Sequence, residues 1–125
     1  MIDHISIGVR NIDDAKKFYD AVFMPLGYSC LTSGADYLGY GKKSTAFWVG
    51  VTRTPVPKNP KSGLHFCVTA STRASVRAFH KAALATGGRD NGKPGLRKDY
   101  GPNYYAAFIV DPDGYRLEAV CHARS

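Results

Sequence analysis

The sequence lacks any apolar run long enough to cross a bilayer. Of its 125 residues, 44% are hydrophobic and 22% are charged, and no stretch approaches the roughly 18 consecutive apolar residues of a transmembrane helix. Residues 1–5 also lack the layout of a signal peptide, in which basic residues precede an apolar stretch. We therefore expect a cytoplasmic protein without a membrane partner.

Cysteine is scarce, with three residues in the chain: Cys30, Cys67 and Cys121. The number is odd and no two of them form a C-x-x-C pair. The sequence therefore indicates neither a disulfide framework nor a structural zinc site. We expect all three to be free thiols.

Acidic residues are outnumbered, 10 against 17 basic residues, which gives a net charge of +7. Such a balance suits an anionic ligand or a nucleic acid. The basic residues are scattered, mostly through Gly- and Pro-rich segments, and form no dense run interleaved with aromatic residues. We therefore expect no nucleic-acid partner and a solvated surface for most of these side chains.

An internal repeat organises the chain. When the sequence is shifted by 61 residues, an ungapped match extends over about 25 positions. Four aligned pairs are identical: His4 with His65, Phe18 with Phe79, Ala21 with Ala82, and Gly27 with Gly88. Since 125 residues is the usual size of one domain with one core, we expect a single domain over residues 1–125 that contains both copies.

The first copy, residues 1–51, has the signals of one helix and four strands. Residues 5–9 alternate between apolar and polar side chains, which predicts a half-buried strand. Residues 11–22 carry an apolar stripe at helical spacing, with Asn11 or Asp13 as the cap and Gly27 as the stop. Three short aromatic or β-branched runs follow at 28–31, 37–40 and 46–51, which are typical of strands. The pattern predicts a βαβββ unit.

The second copy, residues 64–125, follows a predicted linker. Residues 52–63 contain Pro55, Pro57 and Pro60, which disfavour both helix and sheet. Beyond the linker the patterns predict a strand at 64–68, a helix at 72–86, and a hairpin of strands 104–110 and 115–121 around the turn 111–114. Residues 89–102 are rich in loop signals, with room for one short strand. The fold class is therefore α+β, with two tandem βαβββ modules.

Alternation along the strands predicts which side chains share a face. If the apolar residues of the first strands, including Leu64, pack beneath the helices, then His4 and His65 point to the opposite side of the sheet. In the last strand Glu118 joins them, and Trp48 takes the matching position in the first copy. Four side chains are therefore expected on one concave surface.

Two imidazoles and a carboxylate on rigid strands form a ligand set suited to a divalent metal ion with open positions for water or substrate. Each of these residues also has an ordinary structural interpretation. A histidine at the start of a strand is often simply hydrogen-bonded, and Glu118 could pair with Arg116 on the same face. The equivalence of His4 and His65 in the two copies favours the metal site.

The chain resembles the glyoxalase, bleomycin-resistance and extradiol-dioxygenase superfamily, also called the vicinal oxygen chelate fold. The resemblance covers essentially the whole chain. It rests on D-H-I at 3–5, A-x-x-F-Y at 15–19, L-G-Y at 26–28, L-H-F at 64–66 and above all D-P-D-G-Y-R-L-E at 111–118. It implies paired βαβββ modules in a partly closed eight-stranded cup, a bound metal and a homodimer.

Carried over to this chain, the resemblance implies that His4, His65 and Glu118 are metal ligands. Glyoxalase I-like members have a fourth ligand, a carboxylate, where this chain has Trp48. The three remaining positions are similar to the two-histidine, one-carboxylate set of extradiol dioxygenases and fosfomycin-modifying transferases. The divalent ion expected is Mn, Fe, Zn or Ni, without a choice among them.

The resemblance leaves two functions open. The first is a metal-dependent enzyme, with lyase, isomerase or dioxygenase chemistry, acting on a small oxygen-rich substrate. The alternative is a metal-free binder of small molecules, similar to drug-sequestering members of the family. The side chains expected to contact the substrate or ligand are Trp48, Arg97, Tyr100, Tyr104 and Tyr105. Retention of all three candidate ligands favours the enzyme.

Overall fold

The structure is a computed structural model that describes residues 1–56, 59 and 61–125. The first unit contains strand β1 (Ile5–Val9), helix α1 (Ile12–Phe23), a 3-10 turn (Met24–Leu26), and strands β2 (Ser29–Ser33), β3 (Tyr37–Gly41) and β4 (Thr45–Val51). The second unit contains β5 (Phe66–Thr69), α2 (Arg73–Ala85), β6 (Arg89–Leu96), β7 (Tyr105–Val110) and β8 (Arg116–Cys121). The two tandem βαβββ modules predicted from the repeat are confirmed.

The two helices begin at side-chain caps. The Asn11 side chain accepts a hydrogen bond from the backbone nitrogen of Asp14, and Thr72 does the same for Ser75. Each cap satisfies one backbone donor that the first helical turn leaves free. Gly27 follows the first helix and its 3-10 turn with a φ of 81°, a left-handed conformation that glycine adopts without steric cost. Of the two caps considered for α1, Asn11 is the one used.

Strand β6 is longer than the sequence indicated. Residues 89–102 were predicted to be rich in loops with room for one short strand, but Arg89–Leu96 forms an eight-residue strand at the edge of its sheet. Its pairing with β7 shifts register between Asp90 and Gly92 and again between Gly92 and Gly95. These irregularities, together with Pro94, interrupt the alternation of apolar and polar side chains by which a strand is recognised in a sequence. An edge strand tolerates a proline because one of its sides has no neighbouring strand to bond.

The eight strands form two four-stranded sheets with the same strand order. The orders are β1-β4-β3-β2 and β5-β8-β7-β6. In each sheet the first and fourth strands run parallel, with Ser6 opposite Trp48 in one and Cys67 opposite Glu118 in the other. The repeat aligns Ser6 with Cys67, so Trp48 and Glu118 occupy equivalent positions. The register inferred from the sequence is therefore confirmed.

One buried core contains residues of both units. Phe18, Tyr19 and Phe23 from α1 pack in the same cluster as Phe79 from α2 and Leu117 from β8. Burying large aromatic side chains in this way provides most of the driving force for folding. The expectation that Leu64 packs in this core is wrong. Leu64 is 53% exposed, because β5 begins only at Phe66 and Leu64 precedes the sheet.

Polar contacts also join the two units. The Tyr19 hydroxyl donates to Oδ2 of Asp111 at 2.5 Å, and the Tyr115 hydroxyl donates to the carbonyl oxygen of Gly8 at 2.8 Å. Oδ1 of Asp111 accepts from the backbone nitrogens of Asp113 and Tyr115. The D-P-D-G turn at 111–114 is therefore a structural element that docks the second unit on the first.

The predicted linker is described only in part. Of residues 52–63, Pro57, Lys58 and Pro60 lie outside the described residues. The three cysteines are free, as expected. Within the part of the chain that the structure describes, no helix is long and apolar enough to cross a membrane.

Candidate functional site

His65 and Glu118 lie side by side on adjacent strands. His65 immediately precedes β5, and Glu118 is the third residue of β8, the parallel neighbour of β5. The Nε2 atom of His65 is 3.0 Å from Oε1 of Glu118. The Glu118 side chain is 3% exposed, whereas that of His65 is 46% exposed. A buried carboxylate thus orients an imidazole that still reaches solvent.

Tyr104 completes the hydrogen bonding of Glu118. Its hydroxyl donates to Oε2 at 2.5 Å, so both carboxylate oxygens have a partner within the chain. Burial, followed by the hydrogen bond to Glu118, raises the pKa of Tyr104 well above its ordinary value. The phenol therefore stays protonated and acts as a donor at neutral pH. Tyr104, which was predicted to contact a ligand, therefore forms a hydrogen bond with Glu118 in this structure.

Cys67 lies beside Glu118 on the same face of the sheet as His65. It is the residue opposite Glu118 in the parallel pair of strands. Local desolvation, followed by the negative charge of Glu118, raises the pKa of the Cys67 thiol to about 12. The thiol is therefore protonated at neutral pH and is a poor nucleophile, because the thiolate is the reactive form.

A cavity of about 820 Å³ opens between the first unit and strand β5. Both repeat-related histidines line it, together with aromatic residues and two lysines of the turn between β3 and β4. His4 is 49% exposed, and its Nδ1 atom lies 2.6 Å from Oδ1 of Asp3. The cavity lining includes Asp3, His4, Phe23, Tyr28, Tyr40, Lys42, Lys43, His65, Phe66 and Cys67.

A single chain does not bring the three candidate metal ligands together. Within the described ranges, 1–56, 59 and 61–125, no three His, Cys, Asp or Glu side chains are grouped closely enough to hold a metal ion. His65 and Glu118 form a close pair, whereas His4 lines the same cavity as His65 without joining that pair. The imidazole and carboxylate of the pair fit two positions of a divalent ion. The donor set of one chain therefore fits such an ion only in part.

Arg97 lies near the pair on the second sheet. Its guanidinium is stacked 5.4 Å from the ring centre of Phe108 and donates to the carbonyl oxygens of Lys93 and Gly95. The Phe108 ring lies 6.1 Å from that of His65. Arg97 therefore contacts Phe108, whose ring in turn lies near that of His65 on the same side of the sheet.

The other three residues expected to contact a ligand are more dispersed. Tyr100 is 68% exposed and its ring centre is 5.3 Å from that of Tyr104. Trp48 lies on the first sheet, with its ring centre 6.5 Å from that of Tyr37. Tyr105 packs against the core on the helix side, beneath Arg73, and so faces away from Glu118.

The two lysines and Tyr28 in the cavity were not among the residues predicted to contact a ligand. Lys42 and Lys43 form the tip of the β3–β4 hairpin, and Tyr28 follows Gly27 just before β2. The only feature of the sequence that could have indicated a charged contact for a ligand here was the pair of adjacent lysines at a turn. Their proximity to His65 depends on how the two units pack, which no local pattern reveals.

Two paired βαβββ units that flank a cavity define the class of fold, and comparisons with known proteins agree. A sequence model of the Glyoxalase/Bleomycin resistance protein/Dioxygenase superfamily matches residues 1–119. A solved glyoxalase/bleomycin resistance protein from Albidiferax ferrireducens is 28% identical, with a TM-score of 0.82 over 95% of this chain and 97% of that chain. No curated protein matches the chain.

More distant solved structures share the fold. A mutant of glyoxalase I from Zea mays is 23% identical, with a TM-score of 0.70 over 95% of this chain and 45% of that chain. A fosfomycin resistance protein from Listeria monocytogenes is 12% identical, with a TM-score of 0.70 over 97% of this chain and 92% of that chain. The chain belongs to the glyoxalase/bleomycin resistance protein/dioxygenase superfamily, which confirms the resemblance seen in the sequence. Members of this superfamily bind small molecules and often use divalent metals.

Proposed function

We propose that this protein is a cytoplasmic, metal-dependent enzyme that acts on a small oxygen-rich organic molecule. The observation that carries the proposal is the pair formed by His65 and Glu118, whose Nε2 and Oε1 atoms are 3.0 Å apart. The half-exposed imidazole lines a cavity of about 820 Å³, a size that suits a small-molecule substrate. Three free thiols are compatible with a reducing compartment.

The metal ligands in this proposal are His65, Glu118 and His4. Since His4 does not join the pair within one chain, we propose that a homodimer completes the set, with His4 supplied by a second copy. The equivalence of His4 and His65 in the repeat supports this arrangement, as does the exposure of the His4 side chain, 49%. A closed dimer with twofold symmetry would contain two such sites.

The bound ion would act as a Lewis acid, which stabilises negative charge on a substrate oxygen. The chain's own groups prepare the site. Tyr104 donates to Oε2 of Glu118 and fixes the direction of the carboxylate, while Oε1 of Glu118 and Nε2 of His65 are the adjacent atoms that would hold the ion. An outer hydrogen bond such as that from Tyr104 determines how a ligand presents its lone pairs. The reaction class we propose is lyase, isomerase or dioxygenase chemistry, in a cavity whose walls include aromatic side chains.

Metal analysis tests the proposal. Protein incubated with Mn, Fe, Zn or Ni and then desalted is expected to retain about one ion per chain. His65→Ala is expected to lose it, and His80→Ala is the matched control because His80, on α2, pairs with Asp90 of β6 and does not line the cavity. A wild-type protein that retains no metal, or a His65→Ala variant that retains as much as wild type, contradicts the proposal.

A mixing experiment tests the shared site. His4→Ala and His65→Ala are each expected to lose metal, but a co-refolded equimolar mixture should recover about one quarter of the sites, because half of the dimers then contain one intact set. Recovery in the mixture is impossible if each site lies within one chain. Absence of recovery, with both variants folded and dimeric, contradicts the homodimeric site.

A metal-free binder is the second candidate. It is favoured by the observation that both oxygens of Glu118 already have hydrogen-bond partners within the chain. A carboxylate satisfied in this way needs no metal ion to compensate for its burial. Ligand binding by wild-type protein that takes up no metal would establish this alternative over the enzyme.

A further inference from the structure

The cavity beside His65 has a positive rim at the β3–β4 turn. Lys42 and Lys43 both line it, and Asp3 is the only acidic residue in the lining that the structure describes. The Asp3 carboxylate is already engaged by Nδ1 of His4 at 2.6 Å. Among the described residues neither lysine forms an ion pair. The lining therefore carries two lysine charges against one carboxylate, which leaves it positive overall, and neither lysine is paired with that carboxylate.

Lys42 is held against the aromatic wall of the cavity. Its Nζ atom lies 5.2 Å from the ring centre of Tyr28. Its Cε atom passes Gly27, 3.5 Å from the place that a Cβ on that residue would occupy. A cation over an aromatic ring is attracted by the negative face of the ring. Although Lys42 is exposed, its ammonium group is thus held beside the cavity.

The cavity walls present ring faces rather than hydroxyl groups. The Tyr28 hydroxyl donates to the carbonyl oxygen of Thr69, and the Tyr40 hydroxyl donates to Oδ1 of Asp20. The protons of both hydroxyl groups are therefore donated within the chain. Phe23 and Phe66 also line the cavity. A ligand body resting against these walls gains from apolar and aromatic contact instead of hydrogen bonds.

We propose that the cavity binds a small organic carboxylate with a flat apolar body. Lys42 and Lys43 would bind the carboxylate, and the body would lie against Tyr28 and Phe66, within reach of His65. Lysines provide compact charges suited to a monoanion, whereas the forked guanidinium groups that favour phosphate do not occur in the described lining. The proposal deepens the proposed function, on which it rests for the identification of this ligand as the substrate.

Binding of 1-naphthoate tests the inference. The affinity of wild-type protein for 1-naphthoate is expected to exceed that for uncharged 1-naphthalenemethanol and to fall as salt is raised. The variant Lys42→Ala/Lys43→Ala should bind 1-naphthoate about tenfold more weakly and 1-naphthalenemethanol unchanged. The matched control is Lys17→Ala/Lys81→Ala, which removes the same charge from the two helices. NMR signals of the His4 and His65 rings should shift on addition of 1-naphthoate.

Three results would overturn the inference. They are an equal loss of affinity in the control variant, equal binding of the uncharged analogue, and histidine signals that do not move while 1-naphthoate binds elsewhere. Metal content measured on the same samples separates this inference from the proposed function. Metal uptake with no naphthoate binding contradicts only the ligand class, whereas naphthoate binding without metal uptake contradicts only the metal-dependent enzyme.

Discussion

Trp48 and Glu118 occupy the same position in the two repeated sheets. Trp48 is opposite Ser6 in the parallel pair of β1 and β4, and Glu118 is opposite Cys67 in the pair of β5 and β8. One position thus carries an aromatic ring in contact with Tyr37, and the other a buried carboxylate bonded to His65. The duplicated scaffold has two chemically different halves.

Trp48→Glu would place a second carboxylate at the equivalent position. If the first sheet of one copy faces the second sheet of another, as the proposed dimer requires, this substitution adds a fourth ligand. We expect divalent-ion affinity to rise about tenfold or more, because a carboxylate binds such ions directly. Calorimetric titration with Mn, Zn and Ni measures it. Trp48→Gln is the control, and equal affinities for the Glu and Gln variants would contradict the shared site.

Tyr104→Phe removes the donor to Oε2 of Glu118 and leaves a buried carboxylate oxygen without its partner. The free energy of unfolding should fall by about 1–3 kcal/mol, the usual cost of such a loss. Urea denaturation measures it. Tyr100→Phe is the matched control, because Tyr100 is 68% exposed and surface changes usually stay within about 0.5 kcal/mol. Equal effects of the two substitutions would contradict the assigned role of Tyr104.

Tyr19→Phe breaks the hydrogen bond that joins α1 to the D-P-D-G turn. Since the bond is buried and its acceptor is Asp111, a loss of about 1.5–3 kcal/mol is expected. Tyr40→Phe serves as comparison. Its hydroxyl bonds Asp20, whose side chain is 44% exposed, so water can replace that bond and the loss should stay below about 1 kcal/mol. Thermal unfolding of both variants would show the difference, and a larger loss for Tyr40→Phe would refute this ranking.

Asp90 contributes pH-dependent stability through His80. The hydrogen bond from Nε2 of His80 at 2.8 Å is the main reason that the pKa of Asp90 lies below its ordinary value. Because the folded state favours the charged form, the contribution is present above the unfolded pKa of about 3.9 and is lost as the pH falls through the lower folded pKa.

The comparison of wild type with Asp90→Asn tests this. The wild type should be the more stable protein near pH 6, and the difference should shrink between about pH 4 and pH 2. Unfolding free energies from urea titrations across this range provide the measurement. Asp99→Asn is the control on an exposed loop residue. A difference between wild type and Asp90→Asn that does not change with pH would refute the role of the hydrogen bond between His80 and Asp90.

The architecture was predictable because its signals are local. Alternation at residues 5–9 and the apolar stripe at 11–22 report on neighbouring side chains, and the 61-residue shift shows that both patterns recur. The same alternation predicted the shared position of Trp48 and Glu118, since two-residue periodicity assigns every strand residue to a face. Strand β6 was predicted only as room for one short strand, because its bulges at Gly92 and Gly95 interrupt that periodicity.

Contacts between distant segments were less predictable. The neighbouring residues Tyr104 and Tyr105 were both predicted to contact a ligand. In the structure Tyr104 donates a hydrogen bond to Glu118, whereas Tyr105 packs under Arg73 on the opposite side of the sheet. Adjacent residues point to opposite faces, and the register that pairs Phe108 with Glu118 puts Tyr104 on the Glu118 side. Likewise, Leu64 seemed to extend the first strand of the second unit, but it lies outside β5 and is exposed.

The sequence by itself determined the two βαβββ units, the faces of their strands and the family, because each depends on short-range periodicity or on a contiguous motif. Only the tertiary structure showed that His65 and Glu118 meet, that His4 stays apart from them within one chain, and that Lys42 and Lys43 face the same cavity as His65. These relationships depend on how the two units pack. That packing is decided by the shared core of both units, whose contacts join residues far apart in the chain.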